Sequence, residues 1–588
     1  MLWSALFFGL VGIFALDYLR GLYKNIRIAQ RTGLRYVLVP FSFSIPLTIL
    51  FNTRWLPYMV NHWLPEWAAD LVNDVFYNLR WSTKDRQVKK FGKVYLVVTP
   101  RDVLCHVADA SVVTQVVNTR GSFPKPVWQY KVLELYGPNV VTCDDAQWAR
   151  HRRQTATIFN EKNNDLVWKE SIRLAQGMLE HWRESSSIDT RGGFKVEHGR
   201  DDILKFTLNV FSGAGFGVVM PFKPVPKDSV EGPKGIFQDT PTPPQGFDFT
   251  FRSVVAYMNL KIANIVFANL MLPQSLKTML FPFIKQDIAA HKDLERYMKT
   301  LISTSGAEDT RTASNLIQGM LKYRKSEEMA GSKERGLSDL EIMSNALIFT
   351  IAGHETSATT LRYSILLLAL DQDVQDWVYE GILEATRDEP SNATDWNYAS
   401  VYPKLVTPLC VMLEAMRLYP PVVTIPKWTG ESARTIHYQD KSILLEPGVN
   451  INLIVNATHY SEEYWGSDAE KFHPQRWDAS NKESFLARNA DLQGLNGPGL
   501  EYPTIHKPVR GAYAAFSDGH RACLGKKFAQ VEIVVALAVI LREYRVELAW
   551  KGNEGRTRAE RILKESAAVM TLAMRDDVPL VFHKRLSV

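Results

Sequence analysis

Residues 516–525 read FSDGHRACLG, with Cys523 set among two glycines, an arginine and a phenylalanine. It is one of four cysteines in 588 residues, beside Cys105, Cys143 and Cys410. No two form a CxxC pair, and four are too few for a disulfide framework in so long a chain. A reducing, cytosol-facing location fits that usage. A lone thiol serves as a small buried hydrophobe, a nucleophile or a metal ligand, and its neighbours decide which. His520 stands three positions away, but the loop has no signature of a cysteine hydrolase. Structural zinc needs three more ligands at close spacing, and none of the 13 histidines pairs suitably with another cysteine.

A composition of 46% hydrophobic and 22% charged residues is that of a globular protein. The net charge of +6 is mild, and no Lys/Arg stripe with interleaved aromatics points to nucleic acid. Met1 to Leu16 carry no charge, close to the roughly 20 apolar residues of a bilayer span. Arg20, Lys24, Arg27, Arg31 and Arg35 all follow that run, the order of a retained signal anchor with the cations on the cytosolic side. The expected division is a transmembrane anchor over 1–20, a basic linker with an interfacial segment over 21–64, and one large domain over 65–588. The uncharged stretch 36–53 contains Pro40 and Pro46, which break a spanning helix. It reads equally as interfacial or as an apolar loop packed on the domain, and a span there would reverse the topology.

Helical patterns dominate after Pro65, with short β-like runs such as Val94 to Val98. Phe222 to Phe247, rich in Pro and Gly, reads as a long surface connection. There is no internal repeat. Ser338-Asp339-Leu340-Glu341 is a capping box, and the apolar residues that follow to Leu370 occupy every face, which predicts a helix threaded through the core. Its polar break is Gly353-His354-Glu355-Thr356-Ser357. A glutamate and a threonine inside a buried helix cost free energy unless they are hydrogen-bonded or used for chemistry, and both readings stand at this point.

One thiolate with an open face opposite suits an iron porphyrin, whose macrocycle supplies the other four ligands. Gly519 would then permit a tight turn, Gly525 would let the next helix approach closely, and Arg521 would neutralise a carboxylate. Phe516-x-x-Gly519-x-Arg521-x-Cys523-x-Gly525 resembles the heme-binding loop of the cytochrome P450 monooxygenases. Four further motifs appear in that family's order. Trp148-x-x-x-Arg152 resembles the helix that hydrogen-bonds a heme propionate, and Ala352-Gly353-His354-Glu355-Thr356 the oxygen-activating segment of the central helix. Glu414-Ala415-Met416-Arg417 resembles the E-x-x-R helix, and Phe472-His473-Pro474-Gln475-Arg476-Trp477 the P-x-R-W segment.

The resemblance implies a mainly α fold with small β-sheets, a single heme domain holding heme b. Cys523 would be the axial iron ligand, with Phe516 and Gly525 shaping its loop. Arg521, Trp148 and Arg152 would serve the propionates, together with Lys427, which stands where the family often has arginine. Glu414, Arg417 and Arg476 would form a buried structural network, and His459 is a structural histidine. An axial thiolate favours O–O cleavage; Glu355 and Thr356 would relay protons with ordered water, and Gly353 would leave a notch for dioxygen. Asn392 and Asn456 begin N-A-T sequons, read here as chance.

The chain has no G-x-G-x-x-G fingerprint and no iron-sulfur cysteine set, so electrons must come from a partner. The resemblance implies NADPH delivering them through cytochrome P450 reductase, with cytochrome b5 as a helper, on the endoplasmic reticulum membrane with the domain facing the cytosol. Arg150, Arg153, Lys526 and Lys527 would suit an acidic partner, or form an ordinary solvated surface. The apolar residues Val127, Trp128, Tyr130, Leu133 and Tyr136, the stretch 249–272 and the stretch 422–425 would face a hydrophobic small molecule. The character resembles microsomal enzymes of fungal secondary metabolism acting on a terpenoid, polyketide or alkaloid, with a fatty acid or sterol as the alternative. A heme-thiolate isomerase or dehydratase, and a non-catalytic heme sensor, are the readings from other classes; neither needs the Glu355-Thr356 pair.

Overall fold

The computed structural model describes residues 2–42, 59–60, 62–75, 80–186, 193–226, 232, 234–271, 282, 284–307, 315–330, 336–479, 505–568 and 570–585. Most of the uncharged stretch 36–53, and Leu272 of the apolar stretch 249–272, lie outside them. Nine helices position the site: α1 (Leu2–Thr32), α2 (Glu66–Val75), α3 (Asp145–Ala156), α4 (Glu161–Ser185), α5 (Arg200–Phe216), α6 (Phe251–Met271), α7 (Asp339–Leu370), α8 (Val406–Leu418) and α9 (Lys526–Glu543). The longest sheet comprises β1 (Tyr36–Leu38), β2 (Val94–Val98), β3 (Val103–Val107), β4 (Thr424–Trp428) and β5 (Asn450–Ile454) in the spatial order β1-β2-β3-β5-β4. The pairs β1/β2 and β3/β5 are parallel and the other two antiparallel. A two-stranded hairpin, β6 (Ala567–Ala568) and β7 (Leu572–Ala573), rests on the Pro421 carbonyl through the Leu572 N–H at 2.9 Å.

Helix α7 begins as the sequence predicts. The Ser338 hydroxyl accepts the N–H of Glu341 at 3.3 Å, and the Glu341 carboxylate accepts the N–H of Ser338 at 2.9 Å, satisfying two donors that a helix start otherwise leaves free. Glu341 also binds Arg150, so Arg150 ties α3 to α7 and does not belong to a free docking surface. From Ile342 through Ala369 every residue is buried except Ala352, Gly353, Glu355 and Thr356. Each fully buried Leu or Ile there stabilises the fold by about 1.5–3 kcal/mol, so a four-residue break in burial at mid-helix is the informative feature. α7 packs on α5, where the Thr207 hydroxyl donates to the His354 carbonyl at 2.9 Å, and on α9, buried from Gln530 to Leu541. α4 closes the group against α5 and α9.

Two expectations change. The connection from Phe222 to Phe247 is more than a surface loop where it is described: Phe222 and Phe237 are buried, and Asp239 is held by the buried Lys205 at 2.6 Å and by Arg252 at 3.5 Å. Helix α1 runs past residue 20 without a break, so residues 21–32 are helix rather than linker. Among the described residues no helix is long and apolar enough to cross a membrane; the anchor expected over Met1 to Leu16 rests largely on side chains outside the description. Asn456 is buried and donates to the Lys84 carbonyl at 3.1 Å, which bars glycosylation and keeps its sequon a coincidence.

Candidate active site

Three elements hold the Cys523 loop. The Cys523 N–H closes it on the Phe516 carbonyl at 2.9 Å, and Gly519, at φ +68°, lies so near the helix turn at Val117 that a Cβ would sit 2.3 Å from the Val117 carbonyl. Only glycine fits there. The thiol stands just before α9, whose N-cap is Gly525. Gly525 does not serve a close helix approach: its Cβ position faces open space. The Cys523 side chain is accessible, unlike those of the other three cysteines. Burial pushes its thiol above the ordinary value, against the opposing pull of the Gly525 N–H, Arg152 and Lys526.

The break in burial on α7 supplies a second accessible surface. Ala352 is exposed in mid-helix, flanked by half-buried Gly353, Glu355 and Thr356. Gly353 makes no notch: a Cβ there would meet the Phe211 ring at 3.2 Å, so its lack of a side chain lets α5 pack, and Ala352 is the small residue facing the open side. Thr356 Oγ1 donates to the Ala352 carbonyl at 2.7 Å, which fixes its hydroxyl with lone pairs free to accept. Glu355 turns towards Thr571 at the hairpin tip and Arg200 at the start of α5; burial raises its carboxyl above the ordinary value while both neighbours lower it. The two residues, adjacent in sequence, therefore lie on different faces of the helix.

Charge tests whether these residues fit a heme. Arg521 lies with Lys125, Lys427 and Asp144 in one buried cluster: it binds the Asp144 carboxylate and the Cys143 carbonyl at 3.0 Å, and stacks on Trp148 at 4.3 Å. Burial and the neighbouring cations push Lys125 down to about 7 and Lys427 to about 8. Three basic side chains gather there around the Asp144 carboxylate, an excess of basic groups that suits the anionic propionates of a heme. The residues fit. Arg152 donates to the Ala522 carbonyl of the loop at 2.8 Å, where its charge favours a thiolate at Cys523.

Behind the loop, Glu414 accepts both donors of a fork from Arg417 at 2.8 Å each, Arg476 at 2.9 Å, the His473 N–H at 3.0 Å and the Trp477 indole at 2.9 Å. Burial alone would raise this carboxyl; the two guanidinium charges and the hydrogen bonds hold it at about 2. His459 joins the network to the loop. Its Nδ1–H donates to the Arg417 carbonyl at 3.0 Å and its Nε2 accepts the N–H of Ala514, two residues before Phe516, at 3.0 Å.

Lys125, Asp144 and Glu532 escaped the sequence reading. Glu532 is buried in α9 with neither oxygen in a well-formed hydrogen bond, and burial raises it to about 8 although the Ser357 hydroxyl favours its anion. The signal for it was one acid inside VEIVVALAVIL. The residues expected to face a hydrophobic guest are only partly covered: Trp128 is exposed, edge-on to Trp428 at 4.4 Å, Val422 is exposed, and Tyr130, Leu133 and Ile425 are half-buried, whereas Tyr136 is buried with its hydroxyl on the His291 carbonyl. Of the cations expected to meet a partner, Lys526 and Lys527 are half-buried, Lys527 over the Tyr402 ring at 4.4 Å, and Arg153 is exposed.

The family model described as Cytochrome P450 matches residues 78–569. The chain is 29% identical to a cytochrome P450 monooxygenase of Arthrobotrys oligospora over 97% of this chain and 96% of the relative, and 30% identical to the cytochrome P450 monooxygenase prx9 of Penicillium rubens over 96% of each. It is 24% identical to the phomenoic acid biosynthesis cluster cytochrome P450 monooxygenase of Leptosphaeria maculans over 94% of each. In fold it is similar to the crystal structure of cytochrome P450 CYP102L1, with a TM-score of 0.62 at 17% identity over 85% of this chain and 97% of that one.

Proposed function

The chain belongs to the cytochrome P450 family and is a cytochrome P450 monooxygenase, and from that premise we propose that it oxidises a hydrophobic secondary metabolite. The single observation that carries the reading is the accessible thiol of Cys523 two positions from Arg521, which lies among the basic side chains of Lys125 and Lys427. Heme bound there, through a thiolate, would supply oxygen activation. Cys523 would hold the iron; Arg521, Lys427, Lys125, Trp148 and Arg152 would hold the propionates; and Phe516 and Gly525 would shape the thiol loop.

On the opposite side Ala352 leaves room and Thr356 accepts and passes a proton at Oγ1. Glu355, whose carboxyl burial raises above its ordinary value, takes up and releases a proton beside it. This pair favours oxygen chemistry over a heme-thiolate isomerase or dehydratase. The half-buried apolar residues Val127, Tyr130, Leu133 and Ile425 exclude water and orient a greasy guest. Electrons come from NADPH through a cytochrome P450 reductase, with cytochrome b5 as a helper, on the endoplasmic reticulum membrane with the domain in the cytosol. Fungal relatives over nearly the full chain, one of them named for a biosynthesis cluster, support a secondary metabolite.

A metabolite comparison of host cells with and without the gene, co-expressing a reductase, tests this. Loss of one oxidised product and accumulation of its more reduced precursor supports the reading; unchanged metabolite profiles in a strain that makes the heme-loaded protein contradict it.

A further inference from the structure

Helix α1 is one unbroken helix of 31 residues, roughly 45 Å long at 1.5 Å per residue. Its two halves have different surroundings. Ile13, Phe14, Leu16 and Leu19 are exposed, large and apolar. From Tyr18 onward a stripe at helical spacing is locked to the sheet. The Tyr18 hydroxyl donates to the Pro40 carbonyl, Asn25 donates to the Thr99 carbonyl at 2.9 Å, and Ala29 is fully buried among the β2 and β3 side chains. Gly21 meets the Pro100 carbonyl so closely that a Cβ would lie 2.2 Å from the oxygen. Arg31 adds an ion pair to Glu446 at 3.2 Å.

Beside that contact the surface is apolar and aromatic. Pro40, which Tyr18 holds, precedes Phe41, and Phe41 packs with Val60, Ala69 and Val72 under the start of α2. On the outside of this segment Trp63 is 70% and Trp67 65% exposed, with Met59 and Leu64 also exposed. Tryptophan with an apolar body and one N–H suits the headgroup layer of a bilayer. Residues 1–40 contain five cations, Arg20, Lys24, Arg27, Arg31 and Arg35, and one acid, Asp17. That charge complements anionic phospholipid and opposes a basic protein partner.

We propose that α1 is a rigid strut and not a tether: embedded in an anionic bilayer by its first half and docked on the sheet by its second, it fixes the catalytic domain in one orientation with the Trp63–Trp67 face against the headgroups. The proposal rests on the membrane placement given above and adds to it a single tilt. A flexible linker would let the domain rotate; a continuous helix with five contacts to the sheet side does not.

The test uses full-length, heme-loaded protein and phosphatidylcholine–phosphatidylserine vesicles. Flotation reads binding, and quenching of tryptophan by lipids brominated near the headgroup reads the orientation, with Trp63→Phe/Trp67→Phe as the baseline. Wild type should float and should show headgroup-depth quenching above that baseline. Gly21→Val, which forces α1 off Pro100, and a Gly-Ser-Gly insertion after Leu16, which leaves the docked half from Tyr18 onward intact, should still float but quench at the baseline level. The second variant guards against misfolding of the first. Flotation with wild-type quenching in the insertion variant, or with no quenching contribution from Trp63 and Trp67, overturns the strut while leaving the membrane placement standing. Failure of wild type to float overturns both.

Discussion

The imidazole Nε2 of His459 accepts the backbone N–H of Ala514 at 3.0 Å. This contact, with the His459 Nδ1–H on the Arg417 carbonyl, carries the rigidity of the glutamate-arginine network into the thiol loop. His459→Phe keeps a ring against Tyr513 but orphans a buried N–H, at a cost of about 1–3 kcal/mol. Burial holds His459 at about 3, below its ordinary 6.5, so it is neutral in the fold. Its stabilising effect is complete above pH 6.5 and is lost as pH falls towards 3. Denaturant unfolding should show wild type losing more stability than His459→Phe across that window.

Glu532 has the opposite sign. Its folded value of about 8 lies above the ordinary 4.5, so the fold favours the protonated acid, and stability is lost as pH rises from 4.5 through 8. Glu532→Gln should be more stable than wild type at pH 8, with the difference shrinking towards pH 5. Thermal unfolding midpoints at both values check this, and equal slopes would contradict it.

The lysines of the charge cluster should show in heme retention. Replacing Lys125 and Lys427 by methionine removes two buried cations facing Arg521. Heme transfer to apomyoglobin should accelerate by roughly tenfold or more, the effect of losing one charge-assisted contact. The apoprotein should become more stable, because repulsion among buried cations is relieved.

Thr356→Ala removes the hydroxyl that bonds the Ala352 carbonyl at the open side of α7. The expected outcome is continued NADPH and oxygen consumption with a reductase, less oxidised product and more released hydrogen peroxide. Unchanged coupling would take the proton-passing role from Thr356.

The loop and the central helix were legible because their information is local. Fixed spacings from Phe516 to Gly525 and the Ser338–Glu341 box each lie within one element. Of the cationic cluster, Arg521 and Lys427 were legible through their motifs and Lys125 was not, since it meets Arg521 only through tertiary structure across nearly 400 positions. Glycine was legible as a position and not as a reason: Gly519 serves a turn, Gly353 a ring contact, and Gly525 an open space. The boundary placed at residue 20 followed charge, whereas the helix follows the Tyr18, Leu22, Asn25, Ala29 stripe that docks on the sheet.

The central claim is that the Cys523 sulfur is the protein ligand of a heme iron. The carbon monoxide difference spectrum of reduced, heme-loaded protein measures it most directly. The wild type should give the red-shifted Soret band of a thiolate-ligated ferrous heme, and Cys523→Ala should lose it. A Cys523→Ala variant that keeps the band, or a heme-loaded wild type that lacks it, would contradict the account.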